Sequence, residues 1–206
     1  MKSRVKIVAG CIVTAGLTVA LLIYSSCLME RKQGIVRFAS FFEEEEDFDV
    51  LFMGTSHMMN GVYPMELWND YGIVSYNFGG YGNPLATSYW IMENALDYTD
   101  PKLMVIDCYY ISSEPKTNGN HSFLHINFDA FPISKTKIRA IKDLFNDENA
   151  ALDNARKNKA YIGFLWDYSI YHTRWNDLGR ADFEVIPATE KGAETMVAVA
   201  EIEEPA

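Results

Sequence analysis

Ser56 is the residue best placed to do chemistry in this 206-residue chain. It stands in Gly54-Thr55-Ser56-His57, directly after the apolar run Val50-Leu51-Phe52-Met53. A serine hydroxyl becomes a nucleophile when a base takes its proton. A glycine turn after a strand exposes such a hydroxyl. By motif alone, Gly-x-Ser after a strand is more often a helix N-cap than a nucleophile. His57 is the neighbouring imidazole. Side chains one residue apart on a turn or helix start diverge, so His57 is a poor base for Ser56 and is left to contact substrate or cap the turn. Metal chemistry has little support: the chain has no Cys-x-x-Cys, and no His-x-x-x-His has a third ligand in reach.

The elements that must hold Ser56 alternate. Asp49 to Met53 reads as a strand buried on both faces. Pro64 opens a helix with Leu67, Trp68 and Tyr71 on its inner face, and Gly72 fits the left-handed residue that ends it. Ile73 to Phe78 is a second strand, followed by the turn Gly79-Gly80-Tyr81-Gly82. Asn83 can cap the next helix and Pro84 can start it. Leu85, Tyr89, Met92 and Leu96 form that helix's apolar stripe, and Leu103 to Cys108 is a third buried strand. Strand, helix, strand, helix, strand implies a parallel sheet with right-handed crossovers. In such a sheet, sites gather past the carboxyl ends of the strands, where Ser56 lies.

These residues resemble the SGNH (GDSL-type) hydrolases. The membrane-tethered branch akin to D-alanyl lipoteichoic acid transfer and polysaccharide O-acetylation proteins is the nearest. The likeness rests on Gly54-Thr55-Ser56-His57, Asn60-Gly61-Val62-Tyr63-Pro64, Asn77-Phe78-Gly79-Gly80 and the strand ending in Asp107. It spans roughly residues 40–180 and is strong over 47–112. The resemblance implies a three-layer α/β fold around a parallel sheet, SGNH/flavodoxin-like, incomplete at the C-terminus and preceded by one transmembrane helix. It implies Ser56 as nucleophile and the Ser56 and Gly80 N–H groups as oxyanion donors, with Gly79 the alternative glycine. The family's asparagine after the third strand has no clean match, because Cys108-Tyr109-Tyr110 stand there; Asn83 is the nearest substitute. The family's Asp-x-x-His is missing. The residues three before His57, His121, His125 and His172 are Gly54, Asn118, Ser122 and Ser169. His57 and Gly79 remain substrate contacts, and no metal or cofactor is implied.

Domain limits follow from charge and hydropathy. Residues 1–6 are basic and cytoplasmic in this reading. Ile7 to Met29 carries no charge over 23 residues, enough to span a bilayer as a retained signal-anchor. Residues 30–47 form an acidic spacer, and 48–206 form the partial α/β domain, which faces outward. Of 18 Lys and Arg and 28 Asp and Glu, five basic residues and one acid lie in residues 1–32; the remainder, 13 against 27, argues against nucleic acid. Cys11 and Cys27 fall within the span, and Cys108 is the one cysteine left for the domain.

Ser112 to Asn127 reads as a long polar loop carrying His121 and His125, low-ranked substitute bases. Ser134 can cap a helix lined by Ile138, Ile141 and Phe145, and Asp147 to Lys157 reads as a polar helix. Tyr161, Leu165, Tyr168, His172 and Trp175 read as one helical face, packed on the sheet or stacking sugar rings. Met196 to Ile202 is a candidate strand. The family has about five strands, so the chain reads as the front portion of a longer protein.

The functional expectation is an extracytoplasmic esterase or O-acyltransferase. It would act on a cell-envelope polysaccharide or teichoic acid through an acyl-Ser56, with a membrane-bound O-acyltransferase as partner. The alternatives are a non-catalytic envelope module that binds glycan or that partner, and a truncated remnant.

Overall fold

The computed structural model describes residues 2–30, 37–38, 40–44, 47–109, 111, 116, 121–145, 161–166, 168–183 and 190–195. The chain is mixed α/β, with a three-stranded parallel sheet and one apolar N-terminal helix. It divides into two compact units: Met1–Lys32 with Asp153–Ile186, and Gln33–Leu152 with Pro187–Ala206.

In the first unit, helix α1 runs Lys2–Met29. Its most apolar 18-residue window has a mean hydropathy of 2.3, and Arg4–Met29 is long and apolar enough to cross a membrane. The last carbonyls of a helix lack partners within it. Here Arg174 supplies them: Nη1 donates to Met29 O at 2.9 Å and also to Glu30 O, while Nη2 donates to Asp182 Oδ1 at 2.8 Å. Residues 161–165 are helical, Tyr168–Tyr171 form one further turn, and His172–Asn176 tighten into a 3-10 helix. That tightening changes the period from 3.6 to 3.0 residues per turn, so the expected aromatic face is not continuous. Trp175 is 65% exposed, and the buried aromatics of this segment are Phe164 and Tyr171, both outside the expected stripe.

In the second unit, β1 (Val50–Gly54) lies between β2 (Ser75–Gly79) and β3 (Leu103–Ile106), all parallel. Val50 pairs with Ser75 and Leu103, and Gly54 with Gly79. After β1 the chain turns to one side to make β2, then crosses to the other to make β3. The carboxyl end of β1 is therefore a topological switch point. Helix α2 (Ser56–Gly61) starts there, followed by α3 (Pro64–Tyr71), α4 (Leu85–Ala95), α5 (His121–Phe128) and α6 (Lys135–Phe145). Gly72 at φ 68° closes α3 in the left-handed region, as its sequence position suggests. Ser134 Oγ accepts from the Lys137 N–H at 3.0 Å and caps α6.

Several expected faces are reversed. Trp68 and Tyr71 of α3 point to solvent, 51% and 74% exposed. The α4 stripe Leu85, Tyr89 and Leu96 is exposed; the helix instead buries Thr87, Ser88, Ile91, Asn94 and Ala95, together with Trp90, which meets Arg139 and Asp143 of α6. Small residues let a helix axis approach the sheet closely, and that contact outweighs a larger apolar stripe. Among the described residues β3 is an edge strand rather than a buried one, with Leu103, Met104 and Ile106 exposed. Residues 37–38 and 40–44, expected as spacer, carry Phe38 and Phe41 into the core. There they meet Tyr76, Phe78 and Phe131. Residues 121–127, expected as loop, are helical, and His125 is buried with its Nδ1 2.8 Å from Asp129 Oδ1. The expected polar helix at Asp147–Lys157 and strand at Met196–Ile202 lie outside the described residues.

Candidate active site

The Ser56 site is built from the ends of β1, β2 and β3. Thr55 is the N-cap of α2: its Oγ1 accepts from the His57 N–H at 3.2 Å. Ser56 is therefore the first helical residue, half-buried. Its hydroxyl meets no hydrogen-bond partner among the described residues. Three further groups surround this strand end.

The first is a carboxylate on β3's far end. Thr55 Oγ1 donates to Asp107 Oδ2 at 2.5 Å, and the Thr55 N–H reaches the same oxygen at 3.3 Å. The Tyr109 N–H donates to Asp107 Oδ1 at 2.8 Å. Partial burial pushes the Asp107 carboxyl up. The hydrogen bonds from Thr55 and Tyr109, with the nearby His57 ring, outweigh it, so the carboxyl lies below its ordinary value. This approach requires Gly54. At φ 151°, a Cβ on Gly54 would stand 2.4 Å from the Asp107 Cβ.

The second is His57, exposed, with Nδ1 3.0 Å from Thr55 Oγ1 and its ring 4.6 Å from the Tyr109 ring. Its other ring nitrogen, Nε2, has no hydrogen-bond partner among the described residues.

The third is a pair of asparagines beside the β2 turn. Asn83 does not cap α4, whose N-cap is Pro84 without a side-chain bond. The Asn83 side chain is buried at the site, with Nδ2 3.4 Å from Gly54 O. Asn127 Nδ2 donates to Asn83 Oδ1 at 2.7 Å. Gly80 lies against both amides, since a Cβ there would fall 2.4 Å from Asn127 Oδ1 and from Asn83 Nδ2.

These distances bear on the oxyanion donors expected from sequence. The single N–H of Gly80 is donated to Gly54 O at 2.9 Å, and that of Gly79 to Asn77 Oδ1 at 2.8 Å. An amide nitrogen such as Asn83 Nδ2 carries two N–H groups, so one is left after its bond to Gly54. Asn83 thus keeps one N–H beyond its bond to Gly54, whereas the single Gly80 N–H is already given to Gly54 O.

A buried scaffold holds the turn. Asn77, fully buried in β2, donates through Nδ2 to Met58 O and Val62 O at 2.8 Å each, pinning the end of α2. Behind it Arg37 donates to Gly79 O. Burial pushes the Arg37 guanidinium down to about 10, against the pull of Glu194. Tyr81 donates to Glu194 Oε2 at 2.6 Å. Burial, then that bond, pushes the Tyr81 hydroxyl up to about 12.

The structure thus gathers Ser56, His57, Gly79, Gly80 and Asn83 at one strand end, together with three residues the sequence reading gave no role. Thr55 and Asp107 were visible as letters of the motif and as the acid ending a strand. Asn127 gave no signal, because it falls in a stretch that reads as loop. His125 packs with Asp129 inside the core. Among the described residues no group of three His, Cys, Asp or Glu side chains could hold a metal ion. Comparison with family models, with curated proteins and with solved structures finds no match for this chain.

Proposed function

We propose that this chain is a membrane-anchored serine esterase or O-acyltransferase of SGNH type, with a three-layer domain held outside the membrane by α1. Its substrate is an acylated or acyl-accepting cell-envelope polysaccharide or teichoic acid, and the acyl group passes through an ester on Ser56. A membrane-bound O-acyltransferase is the partner this chemistry calls for. One observation carries the reading: a serine hydroxyl without a hydrogen-bond partner among the described residues begins a helix at the switch point of a parallel sheet, between a carboxylate–histidine chain and a buried asparagine amide. The test is labelling by a serine-reactive fluorophosphonate. Ser56 is labelled in the full chain, and Ser56→Ala abolishes the label. Equal labelling of the variant rejects this reading.

A second reading is a non-catalytic module that binds glycan or the acyltransferase. It is favoured by the Gly80 N–H being engaged with Gly54 O, and by the exposed Trp166 and Trp175. It expects glycan binding that survives Ser56→Ala and is lost in Trp166→Ala and Trp175→Ala. Unchanged binding in those tryptophan variants counts against it.

A further inference from the structure

The hydrogen bonds around Thr55 fix the proton on its neighbours. A hydroxyl has one proton to give and two lone pairs to receive. The Asp107 carboxylate only accepts, so the Thr55 proton goes to Asp107 Oδ2, 2.5 Å away. The Thr55 oxygen then receives the His57 backbone N–H at 3.2 Å. Its remaining lone pair faces His57 Nδ1 at 3.0 Å, and that contact is a hydrogen bond only when Nδ1 carries hydrogen. A neutral imidazole protonated at Nδ1 is bare at Nε2. The ring also packs against that of Tyr109, 4.6 Å away, and Nε2 is left on an exposed residue beside Ser56.

We propose that Asp107, acting through Thr55, sets His57 in the Nδ1–H form, and that His57 Nε2 is the base for the hydroxyl compound that attacks acyl-Ser56. Asp107 and Thr55 are positioning residues; His57 is the catalytic one. The proposal rests on the acyl-Ser56 reading and extends it to the second half of the reaction. His57 follows Ser56 by one residue on α2, so the two side chains diverge and His57 serves the incoming acceptor rather than the serine's own proton. The acceptor O–H proton passes to Nε2 as its oxygen bonds to the acyl carbon. The tetrahedral adduct collapses, the bond between the acyl carbon and Ser56 Oγ breaks, and Oγ takes a proton from water. His57, being exposed, returns its proton to solvent. The acceptor is water in hydrolysis and a polymer hydroxyl in transfer.

Two measurements on the full chain in detergent micelles test this. Long-range proton–nitrogen correlation spectra, with His57 assigned from the signal missing in His57→Gln, report which ring nitrogen is protonated. The expected result is Nδ1–H in the native chain and in Thr55→Ser, with a shift to Nε2–H in Asp107→Asn, whose amide donates to Thr55 and turns its hydroxyl toward Nδ1. An Nε2–H signal in the native chain, or an unchanged tautomer in Asp107→Asn, overturns the relay. The second measurement is p-nitrophenyl acetate turnover, where the burst reports acylation and the steady state reports deacylation. His57→Gln keeps the burst and slows the steady state by roughly 10²–10⁴-fold, the range of a general base. A steady-state rate equal to the native chain's overturns the catalytic role of His57. If the native chain gives no Ser56-dependent burst, the acyl-serine reading and the His57 base both fail, and the tautomer spectra still decide the relay.

Discussion

Asn127 Nδ2 lies 2.7 Å from Asn83 Oδ1, and this bond decides which end of the Asn83 amide faces the end of β1. The oxygen is held toward Asn127, so the nitrogen is directed at Gly54 and the Ser56 edge. Asn127 is fully buried, so the constraint is stiff.

Asn127→Asp keeps the volume and reverses the constraint. A carboxylate only accepts, so it draws Asn83 Nδ2 toward itself and turns the oxygen to the site. The fluorophosphonate labelling rate of Ser56 should fall by up to about 10²–10³, the usual effect of losing one oxyanion donor. Labelling kinetics at fixed probe concentration check this. An unchanged rate removes Asn83 from the oxyanion site.

Gly79 is required by packing. A Cβ there would lie 2.4 Å from the Met59 backbone nitrogen, and backbone cannot step aside as a side-chain end can. Gly79→Ala should lower stability by about 1–3 kcal/mol, the usual range for overpacking. Gly61→Ala is the control, since nothing lies within 4 Å of a Cβ at that position. Urea unfolding followed by circular dichroism compares the two. Equal midpoints would show that α2 moves off β2 at little cost.

Tyr81 gives a pH signature. Its hydroxyl is pushed from 10.0 up to about 12, by burial first and then by the bond to Glu194. The folded value lies above the unfolded one, so the native state keeps the proton longer. The resulting stabilisation is full below pH 10 and is lost as pH rises toward 12. Tyrosinate absorbance of the native chain minus that of Tyr81→Phe should therefore titrate near pH 12 in the folded protein. After denaturation it should titrate near the ordinary tyrosine value.

The parts of this fold that sequence makes legible are those set by local rules. The three strands, the left-handed Gly72 and the Ser134 cap each follow from a few adjacent residues. What stays hidden depends on contacts distant in sequence. Trp68, Tyr71 and Tyr89 look like core and are exposed, because the sheet takes the small faces of α4 and the aromatic rings of Phe38 and Phe41 instead. An acidic stretch hides those two phenylalanines. Ser56 and the β2 turn were readable because glycine marks both turns. Asn127 was not, because a buried asparagine and a loop asparagine are spelled alike. Thr55 and Asp107 were both in view, and only their 2.5 Å separation shows that they act together.

Gly54 owes its identity to a neighbour across the sheet. Its missing side chain sets the gap between the ends of β1 and β3, because any Cβ there would strike the Asp107 Cβ. The need for glycine at this position therefore comes from the neighbouring strand, not from the serine two residues on. A variant of this chain without the Ser56 hydroxyl would still need the glycine. The glycine is a spacer between two strands, and taking it as a badge of activity would mistake a steric need for a chemical one.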